Sequence, residues 1–257
     1  MNIALVIQYL GTSYKGWQRQ INLPSVQEEI EKAVFHITGE KINLTGSGRP
    51  DAGVHALGQV ANFITETDIP AEKFSQALNH FLPNDIRIVQ SIEVFDSFNA
   101  RYHAKRKTYM YVIDNSSVES PFLHGRSCFV PKKLDIHKMK GALEILVGTH
   151  DFSSFKAEGS FTKTDIRTIF NAEIKKEKNI IKIFITGDGF LYNMIRIISG
   201  TLIGIGKGKD YDILNILEKK SRSFAGQTAP ACGLFLYSVE YENIPLICLK
   251  NDEIIMF

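Results

Sequence analysis

The chain has 257 residues, 44% hydrophobic and 23% charged, the balance of an ordinary folded domain rather than a disordered one. Thirty Lys and Arg against 28 Asp and Glu leave a net charge of only +2, which by itself does not mark a nucleic-acid binder. The longest apolar stretch, around 195–205, contains Arg196 and falls short of a membrane span. The opening residues lack the basic start and cleavage site of a signal peptide, so a cytoplasmic protein with no membrane partner is expected.

IALVIQYL (3–10) reads as a buried strand. PSVQEEIEKAVFHITGE (24–40) reads as a helix. Ser25 is its N-cap, with Glu28 completing a capping box. Val26, Ile30, Ala33, Val34 and Ile37 form its apolar face, and Gly39 stops it. A strand over KINLTGS (41–47), a glycine-rich turn and a strand over GQVANFIT (58–65) follow. PAEKFSQALNHFL (70–82) is a second helix and NDIRIVQSIEVF (84–95) a further strand.

The second half is similar in kind. KTYMYVIDN (107–115) is a strand, and DIHKMKGALEILVG (135–148) a helix ending at Gly148. Residues 167–189 alternate as a hairpin turning at Lys178 and Asn179. Helices over 191–206 and 211–220 precede a closing strand, GLFLYSVEYE (233–242). The order is α+β, with a junction near 99–105 dividing the chain into 1–100 and 101–257.

Several motifs carry no chemistry. GIGKGK (204–209) fails the Walker pattern, because Gly208 stands where Ser or Thr is needed, and it ends a helix instead of opening one. The seven histidines form no HExxH pair. Cys128, Cys232 and Cys248 are odd in number and far apart, without a CxxC pair. Neither a disulfide framework nor a metal site is expected, and no GxSxG elbow is present.

Two stretches remain. RYHAKRK (101–107) sets Arg101, Lys105, Arg106 and Lys107 within seven residues. It reads equally as a solvated charged face or as a phosphate-binding run. GSGRPDAGVHALGQVANF (46–63) places Arg49 and Asp51 among four glycines, ahead of a strand. A turn bearing a surface ion pair accounts for the glycines. Alternatively, an arginine held against Asp51 keeps that carboxylate ionised. A charged aspartate on a glycine-rich loop is then a nucleophile or base that a ligand can approach closely.

GRPDAGVHALGQV resembles the signature of the TruA-type tRNA pseudouridine synthases, where a GR-x-D-x-GVHA stretch carries the catalytic aspartate. YKGWQRQ (14–20) is similar to that family's N-terminal loop, NARYHAKRKTYMYVI to its central arginine-rich strand, and GFLYNMIRIISG to its second-half motif. The resemblance runs from about residue 3 to 241 and departs at Pro50, where the family commonly has Thr. It implies two RRM-like (ferredoxin-like) α/β halves with mainly antiparallel sheets flanking a basic cleft, usually as a homodimer. It implies a cofactor-independent isomerase that takes uridine out of the stack in the tRNA anticodon stem-loop and converts it to pseudouridine. Asp51 is then the essential carboxylate, attacking sugar or base, and Arg49 orients it or holds the flipped nucleotide. Tyr109 stacks on the uracil, Arg196 pairs with Asp51, and Lys15, Arg19, Arg101, Lys105 and Arg106 touch phosphates. A paralogue acting on ribosomal RNA is one alternative. The other is a non-catalytic RNA-binding module, which predicts an RNP1 stretch that the sequence lacks and leaves Asp51 without a purpose.

Overall fold

The computed structural model describes residues 1–159 and 162–246; Cys248 lies outside the described residues. In chain order the elements are β1 (Asn2–Tyr9), α1 (Val26–Thr38), β2 (Thr45–Gly46), β3 (His55–Ile64), α2 (Phe74–Phe81), β4 (Ile86–Val94) and β5 (Ala104–Asp114). There follow β6 (Cys128–Phe129), α3 (Ile136–Glu144), β7 (Gly148–Asp151), β8 (Ile166–Glu177), β9 (Ile180–Gly187), α4 (Met194–Gly206), α5 (Ile213–Lys219) and β10 (Leu234–Tyr241). The fold is mixed α+β with mostly antiparallel pairing. The described residues divide into two units, Met1–Lys105 together with residues 235–246, and Arg106–Leu234. The closing strand thus belongs with the first unit, whereas the sequence reading kept it in 101–257.

In the first unit the strand order is β4-β1-β3-β10, with β2 also on β3. β1 lies antiparallel to both β3 and β4. β10 runs parallel to β3, setting Phe235 opposite His55. No sequence period could foresee that pairing, because β3 ends at Ile64 and β10 begins only at Leu234. Val26, Ile30, Ala33 and Val34 of α1 and Phe74 and Leu78 of α2 are buried. Each large apolar side chain so placed contributes about 1.5–3 kcal/mol. Ser25 caps α1 by accepting from the Glu28 N–H, and Gly39 ends it in the left-handed region.

β2 is much shorter than the strand expected over 41–47. Leu44 explains this: its N–H donates to Glu31 Oε1 and its carbonyl accepts from Gln27 Nε2. With both backbone groups satisfied by α1 side chains, the segment needs no sheet partner. Gln27 and Glu31 are accordingly buried, while Ile37 is only half-buried.

In the second unit the order is β5-β9-β8-β7, with β6 parallel to β5. The β8–β9 hairpin turns at Lys178–Asn179, with Lys178 at φ 53°, as its alternation predicts. α3 stops four residues short of Gly148. Leu146 and Val147 donate to carbonyls three residues back, which tightens the chain out of the helix. Gly148 instead opens β7 on Ile169. α4 begins at Met194 rather than 191, because Asn193 occupies the left-handed region. It ends at GIGKGK, where the Lys207, Gly208 and Lys209 N–H groups return to the Ile203, Ile205 and Gly204 carbonyls. Among the described residues Cys128 and Cys232 form no disulfide with each other, and burial pushes both thiols up.

Candidate active site

In the first unit Asp51 is half-buried and stands between β2 and β3 on a loop anchored at the Gly48, Pro50 and Asp51 carbonyls. Gln59 Nε2 donates to the Gly48 carbonyl at 3.1 Å, the Trp17 N–H to that of Pro50 at 3.0 Å, and the Val54 N–H to that of Asp51 itself at 3.1 Å. Gln59 is in turn oriented by Ser47, whose hydroxyl donates to Gln59 Oε1 at 2.6 Å. A carboxylate on a backbone fixed this way loses little freedom when it acts, which is what a nucleophile or base requires.

The YKGWQ segment braces the loop from one side. Gly16 sits at φ 105°, and a Cβ there would lie 2.9 Å from the Pro50 carbonyl oxygen and 3.3 Å from the Asp51 carbonyl carbon. Only glycine lets the two backbones approach so closely. The segment is held at Tyr14, whose hydroxyl donates to Asp85 at 2.7 Å. Burial, then that bond, pushes the hydroxyl well above the ordinary tyrosine range, so it stays a donor. His55, fully buried and stacked on Phe235 with centroids 4.6 Å apart, accepts from the Gly11 N–H at 2.9 Å. Gly58 rests on β10, where a Cβ would meet the Tyr237 carbonyl oxygen at 2.7 Å. The glycines of the motif therefore serve strand packing as well as the loop.

Arg49 is exposed beside Asp51 in sequence, and Lys15 is exposed on the bracing segment. Arg19 lies on that segment too, with its guanidinium 3.0 Å from the buried Glu31 carboxylate. Part of its charge is thereby used within the protein. Arg101 stands over the Tyr102 ring at 5.8 Å, and Lys105 forms an exposed pair with Glu242 at 3.3 Å.

In the second unit Tyr109 lies on β5 opposite Ile185, its ring edge-on to Phe190 at 5.3 Å. Arg106 stands over the Phe170 ring at 4.9 Å. Arg196, in the first turn of α4, is half-buried. Its Nε donates to the Ala229 carbonyl at 2.8 Å and its Nη1 to Asn193 Oδ1 at 2.7 Å. These bonds account for a charge on an apolar helix: the guanidinium ties the 225–230 segment to α4. Tyr111 also ties down that segment, its hydroxyl donating to the Pro230 carbonyl at 2.9 Å. Among the described residues no group of three or more His, Cys, Asp or Glu could hold a metal ion, and no helix is long and apolar enough to cross a membrane.

The sequence reading named the charged groups and missed their supports, namely Gly16, Trp17, His55, Gln59 and Asn193. All five lie within the quoted motifs YKGWQRQ, GRPDAGVHALGQV and GFLYNMIRIISG, which were the available signal.

A family model described as tRNA pseudouridine synthase matches residues 5–103 and 142–242. The chain is 52% identical over 242 residues to tRNA pseudouridine synthase A of Acetivibrio thermocellus, covering 93% of this chain and 99% of that one. It is 50% identical to the proteins of that name from Thermoanaerobacter pseudethanolicus and Caldicellulosiruptor saccharolyticus, with the same coverage. Among solved structures it is similar to a chain of a Cbf5-Nop10-Gar1 complex at TM-score 0.38 and 13% identity, over 91% of this chain and 48% of that one. A likeness that slight adds nothing on fold or activity. The family match spans both units and the named relatives align over nearly their whole length, so the chain belongs to the tRNA pseudouridine synthase family.

Proposed function

We propose that this chain converts uridine to pseudouridine in the anticodon stem-loop of tRNA, with Asp51 as the essential carboxylate and no cofactor. The observation that carries the reading is the anchored Asp51 loop, fixed at the Gly48, Pro50 and Asp51 carbonyls. The reaction is an isomerisation. The bond from ribose C1′ to uracil N1 breaks and one from C1′ to C5 forms; C5 gives up its proton and N1 gains one. Nothing external is consumed. The uridine is flipped out of the stack to reach Asp51. Arg49 orients the carboxylate or holds the opened nucleotide. Tyr109 stacks on the uracil and offers its hydroxyl for proton transfer, and Arg196 supplies the second basic group of the reaction. Lys15, Arg19, Arg101, Lys105 and Arg106 take phosphates.

Each unit combines a mostly antiparallel sheet with helices, which supports reading each as an RRM-like half. The enzyme works in the cytoplasm as a homodimer, and light scattering of the purified protein checks the dimer. The test of the chemistry is Asp51→Asn, which keeps size and removes the negative charge. Release of tritium from uracil C5 falls at least ~10³-fold, corresponding to ~4 kcal/mol of barrier, while tRNA affinity by filter binding changes little. Activity within tenfold of wild type would refute the role. A parallel loss of binding and turnover would make Asp51 a structural residue.

A further inference from the structure

GIGKGK fails as a phosphate loop, yet it sets Lys207 beside a cavity confined to the second unit. The cavity, about 740 Å³, is bounded by the segment entering α3, the first turn of α3, the end of α4 and β8. Six of its 13 lining residues are lysines: Lys132, Lys133, Lys138, Lys140, Lys176 and Lys207. Asp135 is the one acid among them, and its carboxylate is engaged in capping α3 at the Lys138 N–H, 3.1 Å away. Among the described residues none of the six lysines pairs with a carboxylate. Lys132 alone is compensated, its ammonium 2.8 Å from the Lys207 carbonyl at the negative end of α4.

In a chain of 30 basic and 28 acidic residues, six to one around a single concavity is a marked segregation. Like charges gathered within a Debye length of ~8 Å repel and weaken the folded state. Apart from the carbonyl beside Lys132, nothing among the described residues offsets that repulsion, whereas an anionic ligand would. The space exceeds a single phosphate and suits several. No Phe, Tyr or Trp lines it, so it offers no platform for stacked bases. Lysines are point charges without the planar fork that reads a base edge. An adjoining hollow of about 430 Å³ shares Lys138 and adds Lys209, but Asp210 and Asp212 line it too, and the purely basic field ends there.

We propose that this cavity is a second docking surface for RNA phosphates, built from residues other than the 101–107 run, and that it binds the sugar-phosphate backbone of the tRNA. The proposal rests on the reading that tRNA is the substrate. The test compares the Lys133→Ala/Lys138→Ala/Lys207→Ala variant with wild type in filter binding of full-length tRNA between 50 and 200 mM salt. At about 0.9 per lost phosphate contact, the slope of log K against log salt flattens by about 2 to 3, and affinity at low salt falls at least tenfold. kcat at saturating tRNA is unchanged. All three lysines are exposed; circular dichroism verifies folding, and Lys140→Ala/Lys176→Ala provides an independent pair. An unchanged slope and affinity in both variants would overturn the docking surface. So would displacement of the tRNA by inorganic phosphate at matched ionic strength in wild type but not in the variants, since that marks a small-anion site. Wild-type turnover on the same tRNA is scored separately. A wild type that makes no pseudouridine fails the functional reading, while the slope comparison still decides whether this surface binds RNA.

Discussion

Replacing Gly16 by alanine tests the idea that the bracing segment sets the position of Asp51. Two costs follow from the structure. At φ 105° a residue with a Cβ carries about 1–3 kcal/mol of backbone strain, offset by up to ~1 kcal/mol from the stiffer unfolded chain. The new Cβ also starts 2.9 Å from the Pro50 carbonyl oxygen and 3.3 Å from the Asp51 carbonyl carbon. Those are backbone atoms that cannot rotate aside, so the loop shifts by several tenths of an ångström. A displacement of ~1 Å at a reacting group costs about 10²-fold, so a shift of half that size lowers turnover about tenfold. Gly39→Ala is the control: Gly39 also has positive φ, 74°, but nothing lies within 4 Å of its Cβ position. Urea unfolding and tritium release are measured on both variants. Gly39→Ala loses about 1–2 kcal/mol of stability, Gly16→Ala loses more because of the added backbone clash, and only Gly16→Ala loses turnover per folded molecule. Equal turnover in the two variants would refute the bracing role.

The pair Lys156–Asp165, at 2.6 Å in the second unit, makes stability depend on acid. Bonding first to Lys156 and then to Thr162 holds the Asp165 carboxyl below its usual range. Its folded value is depressed, so its contribution is present at neutral pH and is lost as pH falls below ~4. Asp165→Asn therefore lowers stability at pH 7 and flattens the acid limb of the unfolding profile; an unaltered limb would count against the pair. Lys105→Ala and Arg106→Ala each reduce the salt slope of tRNA binding by up to ~1, and unchanged slopes would return the 101–107 run to a solvated face. EDTA leaves turnover intact on prefolded tRNA in monovalent salt; loss that added metal restores would overturn a cofactor-free reaction.

What the sequence determined by itself was local or motif-bound. α1, its Ser25 cap and its Gly39 stop, the hairpin at Lys178–Asn179, and the helix-ending role of GIGKGK all rest on interactions within a few residues, which composition and spacing expose. The family was legible too, because several chemical motifs recur in order along the chain. Tertiary structure decided the rest. β2 was cut short by Gln27 and Glu31 reaching from α1 to Leu44. α3 gave up its last turn so that Gly148 could open β7, and β10 returned to lie along β3. It alone showed Gly16 and Trp17 bracing the Asp51 loop, and six lysines from three separate stretches of chain lining one cavity. Each of these joins residues remote in sequence through a hydrogen bond, a close backbone approach or a shared surface, and no periodicity records such a meeting.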